Sequence, residues 1–200
     1  AYENGLETGG YEKFNTEGTL VAKGELLEGL KIGKWSYYYP SGKLKEKIEW
    51  KNDEQTGLYV KYNSAGEEVV KGSYTVGNKE GKWSWYLSSE VKDMEGDFLH
   101  NLQHGNWMFW FASGKIHHQG KYDSGEMTGA WQYYYEDGSD YKRGNFFEDK
   151  KEGVWEFWFE NGNPLQRGSF TNDLEQGDWE SWHPNTNKAS VGAGRVSHAD

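Results

Sequence analysis

Residues 105–114 read GNWMFWFASG, and the same frame returns as GKWSYYYPSG over 33–42, GAWQYYYEDG over 129–138 and GVWEFWFENG over 153–162. The opening glycines are Gly33, Gly57, Gly81, Gly105, Gly129, Gly153 and Gly177, each 24 residues after the last. Gly9 extends the series back by one unit. A ring stands two residues behind each of them: Tyr11, Trp35, Tyr59, Trp83, Trp107, Trp131, Trp155 and Trp179. A period this strict marks a repeat array, in which each unit buries its apolar side on its neighbours.

Count positions from the opening glycine as zero. Position five is aromatic in every unit, from Phe14 and Tyr38 to Trp158 and Trp182. Position nine is glycine except at Glu90 and Thr186, and position fifteen is glycine except at Ile48. Position seventeen is Leu26, Trp50, Tyr74, Phe98, Tyr122, Phe146 or Phe170. Each unit therefore holds two short aromatic and β-branched runs, such as Lys34–Tyr39 and Gly168–Thr171. Turn dipeptides such as Ser41-Gly42 and Asn161-Gly162 separate the two runs, and Asn52-Asp53 or Ser124-Gly125 lead to the next unit. Gly, Asn and Asp tolerate the left-handed backbone of tight hairpin turns. The spacing predicts an all-β fold: an elongated, single-layer, twisted array of about eight 24-residue hairpins, forming one repeat domain over 1–200. His183-Pro184 predicts a strand break, and 188–200 an irregular tail that is either a weak final strand or frayed. The aromatics, 11 Trp, 14 Tyr and 9 Phe, supply the buried area that aliphatic residues supply elsewhere.

The pattern G-x-W-x-x-Y, a turn glycine, then G-x-Y/F with an Asn/Asp/Gly turn resembles MORN repeats. It is most similar to the bacterial variant in YwqK-type antitoxin proteins. The resemblance runs from Gly9 to Trp182. It implies an all-β array that serves protein association. Toxin neutralisation is implied by that subgroup alone, and no residue of the motif supports it directly.

The formal net charge of -10 repels phosphate backbones and anionic headgroups. Nucleic acid and acidic membrane surfaces are therefore not expected as partners. The chain has no cysteine, so it offers neither a disulfide framework nor a thiolate. It begins at Ala1 rather than a methionine, which leans towards a processed leader and a bacterial cell-envelope or secreted location.

Parity along a strand sends positions two, four and six to one face and three and five to the other. The position-two tryptophans, Trp35, Trp83, Trp107, Trp131, Trp155 and Trp179, are expected to be structural. Rows four and six behave differently. The repeat admits Lys13, Lys61 and Ser181 in the first and Asn15 and Asn63 in the second. From the fourth to the seventh unit both rows are nonetheless apolar: Trp85 and Leu87, Phe109 and Phe111, Tyr133 and Tyr135, Phe157 and Phe159. This ladder is the candidate partner-binding stripe, because exposed apolar stripes mark contact surfaces. Burial of the stripe against its own sheet is the competing expectation.

His100, His104, His117 and His118 lie near one hairpin, but no carboxylate or thiolate joins them at zinc spacing. Solvated loop histidines are the expectation. Asp53, Glu54, Glu80, Glu126, Asp149, Glu152, Asp173 and Glu175 crowd the connecting turns and read as a charged edge that discourages strand pairing between molecules. No nucleophile elbow, P-loop or dinucleotide fingerprint occurs in context. The sequence thus predicts a non-enzymatic scaffold without cofactor or metal, with protein as partner and glycan as the alternative.

Overall fold

The opening glycine is needed because the strand runs through it. In the computed structural model Gly33, Gly129 and Gly153 have φ of 63°, 62° and 70°, a region where a Cβ is penalised. Across the neighbouring pair Lys23 is opposite Ser36 and Glu25 opposite Ile32. Residues 33–35 therefore face Gly24 alone, which is a β-bulge. The bulge recurs with the glycine, so the period of the sequence is the period of the bulge. The sequence places the first run of this hairpin at Lys34; the strand in fact starts at Leu30, because the bulge glycine continues it rather than ending it.

The structure describes residues 2–3, 5–185 and 188–193, which fall in two compact units, 1–101 and 102–200. In the first, β1 (Tyr2–Glu3) and β2 (Leu6–Glu7) form a small hairpin. An antiparallel sheet in sequence order follows: β3 (Gly9–Phe14), β4 (Leu20–Leu27), β5 (Leu30–Tyr38), β6 (Leu44–Lys51), β7 (Glu54–Tyr62), β8 (Glu68–Thr75), β9 (Asn78–Tyr86) and β10 (Lys92–Leu99). The second unit repeats the plan with β11 (Leu102–Trp110), β12 (Ile116–Asp123), β13 (Glu126–Tyr134), β14 (Asp140–Phe147), β15 (Lys150–Trp158), β16 (Pro164–Thr171), β17 (Leu174–Trp182) and β18 (Lys188–Ala193). The all-β hairpin repeat read from the sequence is what folds. In its tail Lys188–Ala193 form a return strand on β17, with Gly192 opposite Trp179 where the repeat places it. Thr186 and residues 194–200 lie outside the described residues.

Two turns alternate. In the longer loop Tyr39 N–H donates to Lys43 O and Gly42 N–H to Tyr39 O, both at 2.8 Å, the three-residue hairpin closed by a left-handed glycine. In the shorter, Asn52 and Asp53 have φ of 52° and 64° between paired Lys51 and Glu54, a type I′ turn. Consecutive short turns are stitched together. Asp53 N–H donates to Lys31 O, and Asp53 Oδ1 accepts from Lys31 N–H at 2.8 Å. Asp149 with Met127 and Asp173 with Lys151 repeat the reciprocal pair. These carboxylates of the turn row therefore build the fold as well as charging its edge.

The core is a pile of indoles. Trp83, Trp107, Trp131 and Trp155 are at most 1% exposed. Trp35, Trp83, Trp131, Trp155 and Trp179 each lie flat on the position-fifteen glycine of the preceding hairpin. A Cβ on Gly72, Gly120 or Gly144 would fall 2.0–2.2 Å from a ring atom of Trp83, Trp131 or Trp155. The indole N–H donates to the next carbonyl of that strand: Trp35 to Glu25, Trp83 to Ser73, Trp131 to Lys121 and Trp155 to Asn145, at 3.1–3.2 Å. Position-seventeen rings meet the indoles edge-on, as Phe146 does Trp155 at 5.1 Å and 88°, a favoured aromatic geometry. The position-five rings lie on the opposite face, as strand parity places them, and from Tyr38 to Trp182 they are half-buried there, with Phe14 exposed.

The exception explains itself. Ile48 occupies the glycine position, and the residue opposite it on the next strand is Tyr59 rather than tryptophan. Ile48 is 2% exposed and packs with Trp35 and Leu26, while Tyr59 swings its hydroxyl to Glu46 at 3.2 Å.

Candidate functional site

Row four lies over the indoles. Trp85 lies tilted over Trp83 at 5.9 Å in the first unit. In the second, Phe109, Tyr133 and Phe157 lie 6.0–6.2 Å from Trp107, Trp131 and Trp155. All four are half-buried, forming the outer layer of the ring pile rather than a bare stripe. Row six sits at the hairpin loops. Leu87 is 50% exposed. Phe111 and Phe159 are half-exposed, Phe111 against His117 at 4.4 Å. Tyr135 donates its hydroxyl to Trp158 O at 2.8 Å.

The rungs between the row-four rings belong to position thirteen, which the sequence reading did not single out. The register across β11–β15 runs Phe109, His118, Tyr133, Lys142, Phe157. His118 lies between two rings: Phe109 at 4.1 Å and 9°, Tyr133 at 5.2 Å and 14°. The Lys142 ammonium sits 4.3 Å over Tyr133, a cation–π contact. The face is thus an aromatic layer with polar groups interleaved, which a list of apolar positions alone does not reveal.

These groups titrate unusually. Burial pushes the His118 ring down from 6.5 to about 4, with His117 and Lys142 adding repulsion, so it is neutral near pH 7. Its Nδ1 has no hydrogen-bond partner among the described residues. Burial also lowers Lys142, with Lys151 contributing, and raises Tyr133 to about 12. Because the folded His118 binds its proton less readily than the unfolded chain, its contribution to stability is complete above pH 6.5 and is lost as pH falls towards 4. Discounted for the half-exposed ring, the loss between pH 7 and 5 amounts to about 1 kcal/mol. His118→Phe keeps the stack and will flatten that part of the pH profile in urea denaturation; an unchanged profile would place the titration elsewhere.

The other histidines do not converge. His100 lies 3.7 Å from Glu80 and His104 3.4 Å from Asp123. Among the described residues no group of three or more His, Cys, Asp or Glu is placed to hold a metal ion.

The opposite face of the second unit holds a groove of about 640 Å³ that sequence reasoning missed. Its walls come from positions three and fourteen: Gln119, Gln132, Arg143, Glu156 and Arg167. Its floor is small because positions one and fifteen there are Ala130, Val154, Gly120 and Gly144. The signal was present as a cross-strand run of polar residues, but it appears only once the register is known.

A family model of the MORN repeat variant matches residues 31–52 and 151–172. These two hairpins are similar to MORN repeats. Each match starts one residue into a long strand, β5 or β15, and stops at the first residue of the next type I′ turn. Each matched stretch is therefore a strand with its bulge, the glycine loop and the return strand. Most of the other described hairpins keep the glycine loop at the same spacing, and the loop after Leu87 departs from it, with Glu90 in place of the glycine. The matched model describes the repeat and not the antitoxin subgroup. A search of curated proteins finds no match to the chain.

Proposed function

We infer that this MORN-repeat protein is a non-enzymatic binding scaffold, and that the ring face of its second unit docks a protein partner. One observation carries the reading. Rows four and six hold Phe109, Phe111, Tyr133, Tyr135, Phe157 and Phe159, where other units of the same chain accept Lys13, Lys61, Asn15 and Asn63. The hairpin does not need rings there, so something other than folding accounts for them. Half-exposed aromatics with a cation and polar edges among them have the composition of interface hot spots. Trp85 and Leu87 are the equivalent pair of the first unit.

The test uses substitutions the repeat itself contains: Phe109→Lys with Phe111→Asn, and Phe157→Lys with Phe159→Asn. The quadruple variant will remain folded by circular dichroism. In affinity purification from the native cells it will lose a protein that the unaltered chain retains. Recovery of the same protein by both would move the contact to strand edges or turns, and an unfolded variant would make the ladder core.

A further inference from the structure

The groove on the opposite face is charged against the trend of the chain. Lys121, Arg143 and Arg167 line it with a single carboxylate, Glu156, in a protein of net charge -10. Arg143 is held by Glu156 at 2.7 Å. Arg167 stands 3.7 Å from the same carboxylate, beyond hydrogen-bond reach. Among the described residues its guanidinium donates no hydrogen bond, and its side chain is half exposed. The groove therefore presents fork-shaped donors suited to a carboxylate.

Two of its lining side chains lean on aromatic rings just outside it. Gln119 Nε2 donates to Tyr134 Oη at 3.1 Å, and the Arg143 guanidinium lies 4.9 Å over Trp158. Both rings belong to position five, whose side chains lie on this face once per hairpin. Two strands separate successive hairpins, so rings and arginines each recur at about 9.6 Å. An extended acidic peptide repeats its same-side groups every ~6.7 Å and drifts out of step. A β-linked pyranose chain turns the same ring face up at every second sugar, a repeat close to that of the hairpins. Its carboxylates would meet the arginine row at that repeat, its hydroxyls match the carboxamides of Gln119 and Gln132, and Tyr134 and Trp158 stand just beyond the lining where the chain would leave it.

We propose that this groove binds a linear β-linked polysaccharide carrying uronate carboxylates, with Arg167 as the principal carboxylate donor. This site is separate from the ring face and goes beyond the protein-docking reading. The full chain is titrated calorimetrically with three hexameric probes: β-1,4-linked oligomannuronate, neutral β-1,4-linked mannohexaose and hexaglutamate. Oligomannuronate will bind, more weakly at high salt. Arg167→Gln will weaken it about tenfold, the loss expected for one charged hydrogen bond. Lys121→Gln serves as a second variant should Arg167→Gln fold poorly. The Phe109→Lys, Phe111→Asn variant will bind the oligomannuronate as the unaltered chain does. Three results would each overturn the proposal: no heat with oligomannuronate, equal binding of hexaglutamate or mannohexaose, or affinity unaltered in both groove variants. Loss of oligomannuronate binding in the ring-face variant would likewise overturn it, by placing the sugar on the other side of the sheet.

Discussion

Tyr59→Trp will destabilise the protein, and Ile48→Gly in the same chain will restore it. Trp35, Trp83, Trp131, Trp155 and Trp179 lie on glycines, with no room for a Cβ between ring and strand. Ile48 fills that seat, and it faces the one inner hairpin whose position-two residue is tyrosine. A tryptophan at 59 would be driven into the Ile48 side chain, an overpacking cost of roughly 1–3 kcal/mol. Ile48→Gly alone empties a buried site beside Trp35 and costs on the order of 3–5 kcal/mol. Together the two substitutions recreate the arrangement of Gly144 and Trp155. Urea denaturation of the four chains will give a favourable coupling of about 2 kcal/mol or more. Additive losses in that cycle would mean that Ile48 and Tyr59 are independent, and that glycine is not kept for the indole.

The second large effect is Gly144→Ala. One methyl group there meets Trp155 ring carbons at 2.2–2.5 Å. The ring cannot retreat: it is 0% exposed, wedged by Phe146, Phe157 and Phe170, and tied to Asn145 O. We expect a loss of about 3 kcal/mol or more, at the upper end for overpacking because an indole hydrogen bond goes with it. Gly10→Ala is the internal control. It meets nothing within 4 Å and should be neutral or slightly stabilising, since alanine restricts the unfolded chain. If both substitutions cost the same, the glycines matter for backbone freedom rather than for the seat they provide.

Most of the architecture was legible in the sequence. The period, the two turns of each hairpin and the buried tryptophan row follow from glycine spacing and strand parity, because both are local. What escaped needs a second strand to be seen. The glycine at position fifteen reads as a turn or a weak strand until the indole of another hairpin is laid over it. His118 and Lys142 sit 24 residues apart in an unremarkable position, and only the register slides them between Phe109, Tyr133 and Phe157. The groove likewise draws Gln132, Arg143, Glu156 and Arg167 from four strands. Parity placed row four on the correct face, but could not say that its rings would roof the indoles and so stay half covered. Parity likewise placed the position-five rings on the other side, where they are found.

The seating of each indole on the strand before it gives the repeat a direction. Within a unit a hairpin contributes a bare glycine notch to its successor and takes the matching notch from its predecessor. Removing a hairpin from the trailing side uncovers only that notch, a patch of backbone that water can hydrate. Removing one from the leading side strands a large ring and an unpaired N–H. Hairpins should therefore be gained and lost by duplication more readily behind an existing one than ahead of it, and an array of this kind would lengthen, over evolutionary time, from one end.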